Sequence, residues 1–379
     1  MTQRTPSGPG SARQDVFDVL RGLFLVVMAV NHVPWAGWFF TTQPLGYPTA
    51  AEGFVLLAGL LVGVVYTRKF QVQGKAATTR LLMRRAGRIY LAHAACVLAV
   101  FAWVWGYAEF SGAGHPPFGS PWIYHERPWA ALVASLTLIM QPGLLDVLPM
   151  YFGFVLITPM VLRQLMRGRR RGVLIGSGLA WVFTNVALPP HPIVSGLIDT
   201  SAFHFGAWQF LYVCGLIAGH ASTEKSLPGW VLTPPPRLVA GLGLTALLLA
   251  LPRYGWVDLG LDASGWEKLT NKNALAPLRL LNVVVFALLI RAWLAARARR
   301  GRTGLACPPL ALLGRHSMAV FAVHVVTALI ILGLPQWFAW TAWGPWVGPA
   351  LLVGVMLAAA ALAEHLAARG RRPQAASPA

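Results

Sequence analysis

Long apolar runs separated by short basic loops are the feature that most constrains how this chain can fold. A helix needs about 20 mostly apolar residues to cross the hydrocarbon core of a bilayer. Of the 379 residues, 56% are hydrophobic and 11% are charged, whereas a soluble domain carries about 25% charged residues. The sequence therefore predicts an all-α integral membrane protein with about ten transmembrane helices, at residues 17–38, 50–66, 89–107, 148–166, 172–188, 203–220, 236–252, 276–295, 309–332 and 345–366.

One further apolar segment, "WAALVASLTLIMQ" at 129–141, is shorter than a full span. If it crossed the membrane, the basic loop "RQLMRGRRR" at 163–171 would lie outside. Because Lys and Arg concentrate in cytoplasmic loops, we predict that 129–141 is re-entrant or interfacial.

The same charge bias predicts that both termini are cytoplasmic. Residues 1–15 are polar and rich in Gly, Pro and Ser, which is typical of a disordered tail, and residues 368–379 form a basic tail. Residues 16–367 are then a single membrane domain. The net charge of +19 does not indicate nucleic-acid binding, because the basic residues lie in short clusters between spans and face membrane lipids or cytoplasm.

The usual soluble-enzyme motifs are absent from the sequence. It contains no Gly-rich phosphate loop, no Cys/His cluster with metal spacing and no serine-hydrolase elbow. Chemistry is therefore expected from polar residues inside or beside the spans, and no metal is expected.

The first span carries an arginine and a histidine. Arg21 and His32 are eleven residues apart, or three helical turns plus about 20°, so both project from one face, roughly 16 Å apart along the axis. Arg21 is either an interfacial anchor paired with Asp18 or part of a site. His32 is either an interfacial histidine or a base in a low-dielectric cavity.

The second span begins with an acidic residue. Glu52 is predicted at a depth similar to that of His32, where a carboxylate could orient the imidazole and stabilise its protonated form. The alternative is a carboxylate that caps the start of the helix. Further along the span, Gly59 and Gly63 favour close packing against another helix.

Before the third span, Arg85 and Arg88 form an Arg-x-x-Arg pair. The pair is either a positive-inside anchor or a clamp for the phosphates of a cytoplasmic cofactor, because guanidinium groups bind phosphate oxygens with two hydrogen bonds.

These elements, in this order, resemble the membrane-bound acyltransferase type 3 superfamily. Within it, the sequence is similar to the OpgC branch, which is linked to succinylation of osmoregulated periplasmic glucans. The likeness runs from about residue 15 to the ninth span, through the segments "TTQPLGYPTAAEGFVLLAG" (41–59), "DVLPMY" (146–151), "FGAWQFLYVCG" (205–215) and "LGRHSMAVFAVHVV" (313–326).

The resemblance implies an O-acyltransferase of the bacterial inner membrane. It would move an acyl group from cytoplasmic acyl-CoA, succinyl-CoA or acetyl-CoA, to a hydroxyl of an extracytoplasmic glycan such as osmoregulated periplasmic glucan. By analogy His32 is the catalytic base, and the CoA side is served by Arg21, Arg85 and Arg88, joined by Arg315 and His316.

Further residues are candidates for the acceptor side of the site. Asn31, Trp208 and Gln209 could donate hydrogen bonds to the oxyanion that forms from the thioester. Asp146 is either a helix cap or a site residue. His324 is expected to be a hydrogen-bonded packing histidine rather than a residue that lines the cavity. A transporter of a glycan or lipid-linked precursor, with Arg21, His32 and Glu52 along a polar path, is the alternative function.

Overall fold

The computed structural model describes residues 9–44, 46–111, 127–140, 143–187, 194–195, 198–199, 203–302, 304–334, 341 and 343–370. Over these residues the chain is almost entirely helical, as predicted.

One antiparallel pair of two-residue strands joins β1 (Val194–Ser195) to β2 (Ile198–Asp199), with Val194 opposite Asp199. In chain order the helices are α1 (Pro9–Val30), α2 (Trp38–Thr41), α3 (Ala50–Ser111), α4 (Pro128–Leu136), α5 (Val147–Met166), α6 (Arg170–Ala187), α7 (Phe205–Thr223), α8 (Gly229–Leu232), α9 (Pro236–Arg253), α10 (Ala263–Thr270), α11 (Pro277–Arg299), α12 (Pro308–Arg315), α13 (Ser317–Leu332) and α14 (Gly344–Gly370).

The chain divides into two compact units. Unit 1 consists of residues 1–38 together with 304–379, so it joins the two ends of the sequence. Unit 2 consists of residues 39–303. Each unit has its own apolar core.

In unit 1, α1 packs against α12, α13 and α14. Two glycines allow the backbones of α1 and α12 to touch. A methyl group at Gly22 would collide with the carbonyl of Leu310, and one at Gly314 would collide with the carbonyl of Asp18. After α12 the chain turns by 93° at a short break and continues as α13. This bend places Arg315, His316 and Ser317 together at one end of α13.

In unit 2, the first half of α3 packs against α7 through small residues on both helices. A methyl group at Gly59 would collide with the carbonyl of Tyr212, and one at Gly63 with that of Leu216. The predicted close packing at Gly59 and Gly63 is confirmed. A methyl group at Gly219 of α7 would likewise collide with the carbonyl of Leu60.

A break at Gly74 divides α3. Gly74 has φ 75° and ψ 176°, a conformation that glycine adopts without the steric cost that a side chain would add. The predicted spans at 50–66 and 89–107 therefore belong to one helical element interrupted at this glycine.

The all-helical architecture is confirmed, whereas the predicted number of about ten membrane spans is not. Within the described residues, a helix lies at each of the ten predicted segments. In the part of the chain that the structure describes, five helices are long and apolar enough to cross a membrane, or six if the bent pair α12 and α13 counts as one span. The first predicted span is shorter than expected. α1 ends at Val30, four residues before Pro34, whose ring would clash with the carbonyl of Val30 if the helix continued.

The segment predicted to be re-entrant or interfacial contains only α4, with nine residues. At 1.5 Å per residue this helix is about 13 Å long, less than half of the hydrocarbon thickness. Of the predicted tails, residues 1–8 and 371–379 lie outside the described residues, whereas α1 already begins at Pro9.

Candidate active site

Arg21 contacts both its own helix and α13. Its guanidinium donates a hydrogen bond to the hydroxyl of Ser317, the first residue of α13. A second guanidinium nitrogen lies 3.8 Å from the carboxylate of Asp18, one turn earlier. The ion pair between Arg21 and Asp18, one of the two alternatives from the sequence, is therefore present. Residue spacing along α1 could not predict the additional contact of Arg21 with α13.

His32 lies just after the end of α1 and meets His324 of α13. Nδ1 of His32 is 3.2 Å from Nε2 of His324, and the two rings are nearly parallel, 15° apart. His324 has no solvent-exposed surface, and the edge of its ring contacts Phe321, with the ring centres 4.8 Å apart. The half-buried imidazole of His32 and the buried imidazole of His324 thus form a hydrogen-bonded pair within unit 1.

Sequence reasoning assigned His324 to packing, although its spacing carried a signal. Ser317 and His324 are seven residues apart, which is two helical turns less about 20°. Both side chains therefore leave α13 on one face, and they meet Arg21 of α1 and His32, which follows the end of α1. When two segments each carry two polar residues on one side, this pattern indicates that the two polar sides pack against each other.

Arg315 and His316 lie at the bend between α12 and α13 and share one carboxylate. Nε2 of His316 is 2.6 Å from Glu364 of α14, and Nε of Arg315 is 3.7 Å from the same oxygen. Asn31 precedes His32, and its backbone N–H still donates to the carbonyl of Val27. The predicted contacts of Arg315 with CoA and of Asn31 with an oxyanion stay predictions.

In unit 2, Glu52 has no exposed surface, and its oxygens are fully engaged. Oε1 accepts from Arg279 at 2.6 Å, while Oε2 accepts from the backbone N–H and the hydroxyl of Thr49, at 2.8 and 2.6 Å. Arg279, 4% exposed, also donates to the carbonyl of Thr270. Sequence reasoning expected Glu52 to orient His32 and left Arg279 without a role; that orienting role stays a prediction.

Lys272 and Asp146 belong to the same polar part of unit 2. The pKa of the Lys272 amine is lowered, chiefly because the amine is buried. The nearby carboxylates of Glu52 and Asp146 oppose this shift, whereas the Arg279 guanidinium adds to it. Its ammonium lies 5.1 Å from the centre of the Phe203 ring. Asp146 is buried and stands directly before α5, yet its side chain makes no capping hydrogen bond. The cap suggested as its alternative role is therefore not formed.

Trp208 and Gln209 on α7 use their donors within the protein. The indole N–H of Trp208 donates to the carbonyls of Lys272 and Asn273, both at 3.1 Å. The amide of Gln209 donates to the carbonyls of Ser177 and Gly206 and accepts from the Ser177 hydroxyl. These contacts hold α7 to its neighbours, and the predicted oxyanion contacts of both residues stay predictions.

Arg85 and Arg88 follow the break of α3 at Gly74. Arg85 is half-buried and Arg88 is exposed. In unit 2 the Arg-x-x-Arg pair therefore presents at least one guanidinium to solvent, where a phosphate can bind it.

Unit 1 combines two chemistries on the same helix pair. A guanidinium at Arg21 can bind a phosphate or carboxylate, and the imidazole of His32, which contacts that of His324, can accept or donate a proton. Within the described residues, no group of three or more His, Cys, Asp or Glu side chains is placed to hold a metal ion. The arrangement suits proton transfer beside an anionic ligand.

Comparison with known proteins gives one match. A family model described as "OpgC protein" matches residues 13–368, which is nearly the whole chain. Neither a curated protein nor a solved structure gives a significant match.

Proposed function

The chain belongs to the OpgC family, and from this premise we propose that it is a membrane O-acyltransferase that modifies a glycan. It takes a succinyl or acetyl group from acyl-CoA at the cytoplasmic face of the bacterial inner membrane. The group is transferred to a hydroxyl of an extracytoplasmic glycan, of which osmoregulated periplasmic glucan is the foremost candidate.

The observation that carries this proposal is the double polar contact between α1 and α13. Arg21 meets Ser317 at the first residue of α13, and His32 meets His324 seven residues later. Intramembrane ionisable groups are costly and usually serve function. Here one helix pair holds a group suited to an anionic donor and a group suited to proton transfer.

The imidazole of His32 provides the base that acyl transfer requires. A sugar hydroxyl is a weak nucleophile until a base removes its proton, and such catalysis typically contributes 10²–10⁴-fold in rate. Holding the hydroxyl and the thioester together contributes a further large factor. The oxyanion that develops on the thioester carbonyl requires hydrogen-bond donors, for which Asn31, next to His32, is the candidate in unit 1.

The phosphates of CoA require cations. Arg21 is proposed to bind them in unit 1, with Arg315 at the bend before α13 as a second cation. Within unit 2, Arg85 and Arg88 on α3 are separately proposed as phosphate ligands, supported by the exposure of Arg88. Arginine suits this role because its planar fork binds phosphate with two hydrogen bonds.

The test is acyl transfer by purified protein in lipid nanodiscs. Wild type is incubated with succinyl-CoA or acetyl-CoA and a glucan oligosaccharide, and the products are weighed by mass spectrometry. We expect one acyl group to appear on the sugar, and the rate to fall by about 10²–10⁴-fold in His32→Ala. The control is His365→Ala, which removes an exposed histidine of α14 and should leave the rate unchanged.

Two results would contradict the proposal. One is that wild type produces no acylated sugar with succinyl-CoA and none with acetyl-CoA. The other is a His32→Ala variant that is as fast as wild type while folded to the same extent.

A further inference from the structure

His324 is the buried member of the histidine pair, and the proposed chemistry leaves it without a role. It has no exposed surface, and its Nε2 lies 3.2 Å from Nδ1 of His32. A neutral imidazole has one N–H and one lone pair. A hydrogen bond between two ring nitrogens therefore requires one ring to donate and the other to accept.

Burial decides which ring carries the charge when the pair gains a proton. His32 is half-buried and His324 is fully buried beside the Phe321 ring, so a positive charge costs more on His324. When the pair gains a proton, His32 becomes the imidazolium and its Nδ1–H points to His324. If Nδ1–H of His32 also donates to His324 in the neutral pair, the same hydrogen bond is present before and after His32 gains a proton. Proton transfer to His32 then requires no rearrangement of the pair.

We infer that His324 is a positioning residue for His32, an inference that rests on the proposed function. His324 accepts the hydrogen bond from Nδ1–H of His32, which keeps the lone pair of His32 on Nε2. Nε2 is therefore the atom that takes the proton of the acceptor hydroxyl. The carboxylate of a hydrolase triad fixes the tautomer of its histidine in the same way, whereas here a neutral imidazole does so.

The step balances without further reactants. The O–H bond of the acceptor breaks as its proton binds Nε2 of His32, and the oxygen forms a bond to the thioester carbon. The carbon–sulfur bond then breaks, and the CoA sulfur leaves with the proton from Nε2. His32 returns to its neutral form, and His324 keeps its own proton throughout.

The test compares His324→Leu with His324→Gln in the acyl-transfer assay. Leucine removes the acceptor, whereas the glutamine amide oxygen can accept near the position of Nε2. We expect kcat of His324→Leu to fall by about 10–100-fold with KM within about 2-fold, because only the transition state gains from the correct tautomer. His324→Gln should stay within about 5-fold of wild type, because the hydrogen bond is kept.

The matched control is His93→Leu, in which another buried histidine of a helix is replaced. Its Nε2 lies 3.1 Å from the carbonyl of Ser135 in unit 2. This variant should lose stability without the fall in kcat. Equal losses in His324→Leu and His324→Gln, or no loss in His324→Leu, would overturn the inference.

A second measurement separates this inference from the proposed function. Nitrogen NMR of ¹⁵N-histidine-labelled protein reports which ring nitrogen of His32 carries the proton, whether or not acyl transfer occurs; the His32→Ala variant assigns the signal. Wild type should show protonation at Nδ1, and His324→Leu should show a mixture of tautomers. The same tautomer in both proteins would overturn the inference, whereas failure of acyl transfer alone would overturn only the proposed function.

Discussion

Two polar pairs, one buried in unit 2 and one partly buried in unit 1, differ in how completely their hydrogen-bonding groups are used. In unit 2, Glu52 and Arg279 form an ion pair in which both carboxylate oxygens accept hydrogen bonds and Arg279 also binds a backbone carbonyl. In unit 1, His32 and His324 share a single contact between two rings that are neutral in the resting state we propose.

The difference separates a folding role from a chemical one. A buried ion pair with all its oxygens engaged resists any change of charge, since losing one partner strands the other in a low-dielectric core. A pair of imidazoles can gain or lose a proton near neutral pH. An ionisable residue inside a membrane domain is therefore evidence for catalysis only when its hydrogen-bond partners allow it to gain and lose a proton.

The largest expected effect breaks the ion pair. Arg279→Gln should lower the free energy of unfolding by about 3–5 kcal/mol, because Glu52 is left buried without its counter-charge. Unfolding by detergent titration measures this loss. The control is Arg253→Gln, since Arg253 is half-buried but its bond is to the neutral Gln43, and it should cost less than about 1 kcal/mol. A loss for Arg279→Gln as small as that of the control would contradict the folding role.

The double variant sharpens the same point. Adding Glu52→Gln to Arg279→Gln should restore part of the lost stability, because no unpaired charge then remains. Its kcat also tests the predicted link between Glu52 and His32. If Glu52 only supports folding, the folded fraction of the double variant should have the kcat of wild type.

The same substitution in unit 1 should act on ligand binding instead. Arg21→Gln should weaken binding of acyl-CoA by about 10–100-fold, the worth of a hydrogen bond to a charged group, with the free energy of unfolding changed by less than about 1 kcal/mol. KM for acyl-CoA and the thermal shift with free CoA measure the binding. An acyl-pantetheine donor, which lacks the nucleotide phosphates, is the control, and both proteins should use it equally. A large loss of stability would instead make Arg21 a folding residue like Arg279.

The helix contacts allow a third comparison between the units. Gly314→Ala in unit 1 and Gly59→Ala in unit 2 should each cost about 1–3 kcal/mol, because the added methyl group meets a backbone carbonyl of the facing helix. The control is Gly241→Ala on α9, where the space is open and alanine should stabilise the helix by about 0.5–1 kcal/mol. Thermal unfolding measures all three. A stabilising effect at Gly59 or Gly314 would show that the helices do not touch there.

The smallest expected effect concerns an exposed carboxylate in unit 2, in contrast to the buried Glu52. Hydrogen bonds from the Gly265 backbone N–H and the Ser264 hydroxyl lower the pKa of Asp262, the residue before α10. Because the folded pKa lies below the unfolded value of about 3.9, the stabilisation is present above that pH and lost as the pH falls through the folded pKa. Asp262→Asn removes the charge but keeps an acceptor for Gly265.

Hydrogen exchange of the α10 amides in wild type and Asp262→Asn measures this contribution. Wild type should exchange more slowly at pH 7, and the gap between the two proteins should narrow as the pH falls below about 4. A gap independent of pH would show that the carboxylate charge has no part in it.

Several features followed from the sequence by itself because they depend on local pattern. Apolar runs placed a helix at every predicted segment, since a run of that length must satisfy its backbone hydrogen bonds internally. The eleven-residue spacing predicts Arg21 and His32 on one side of the first span; α1 ends before His32, yet both residues contact α13. Gly59 and Gly63 marked a close helix contact. The order of these motifs also indicated the family.

Only the tertiary structure decided which polar groups are paired. Arg279 and Glu52 are 227 residues apart in sequence, and His32 and His324 are 292 apart. Helical periodicity specifies a direction around one helix axis but not the neighbour in that direction. For that reason periodicity alone could not identify Arg279 as a partner of Glu52 or His324 as the contact of His32. Burial of a polar group demands a partner, and the packing of distant segments selects it.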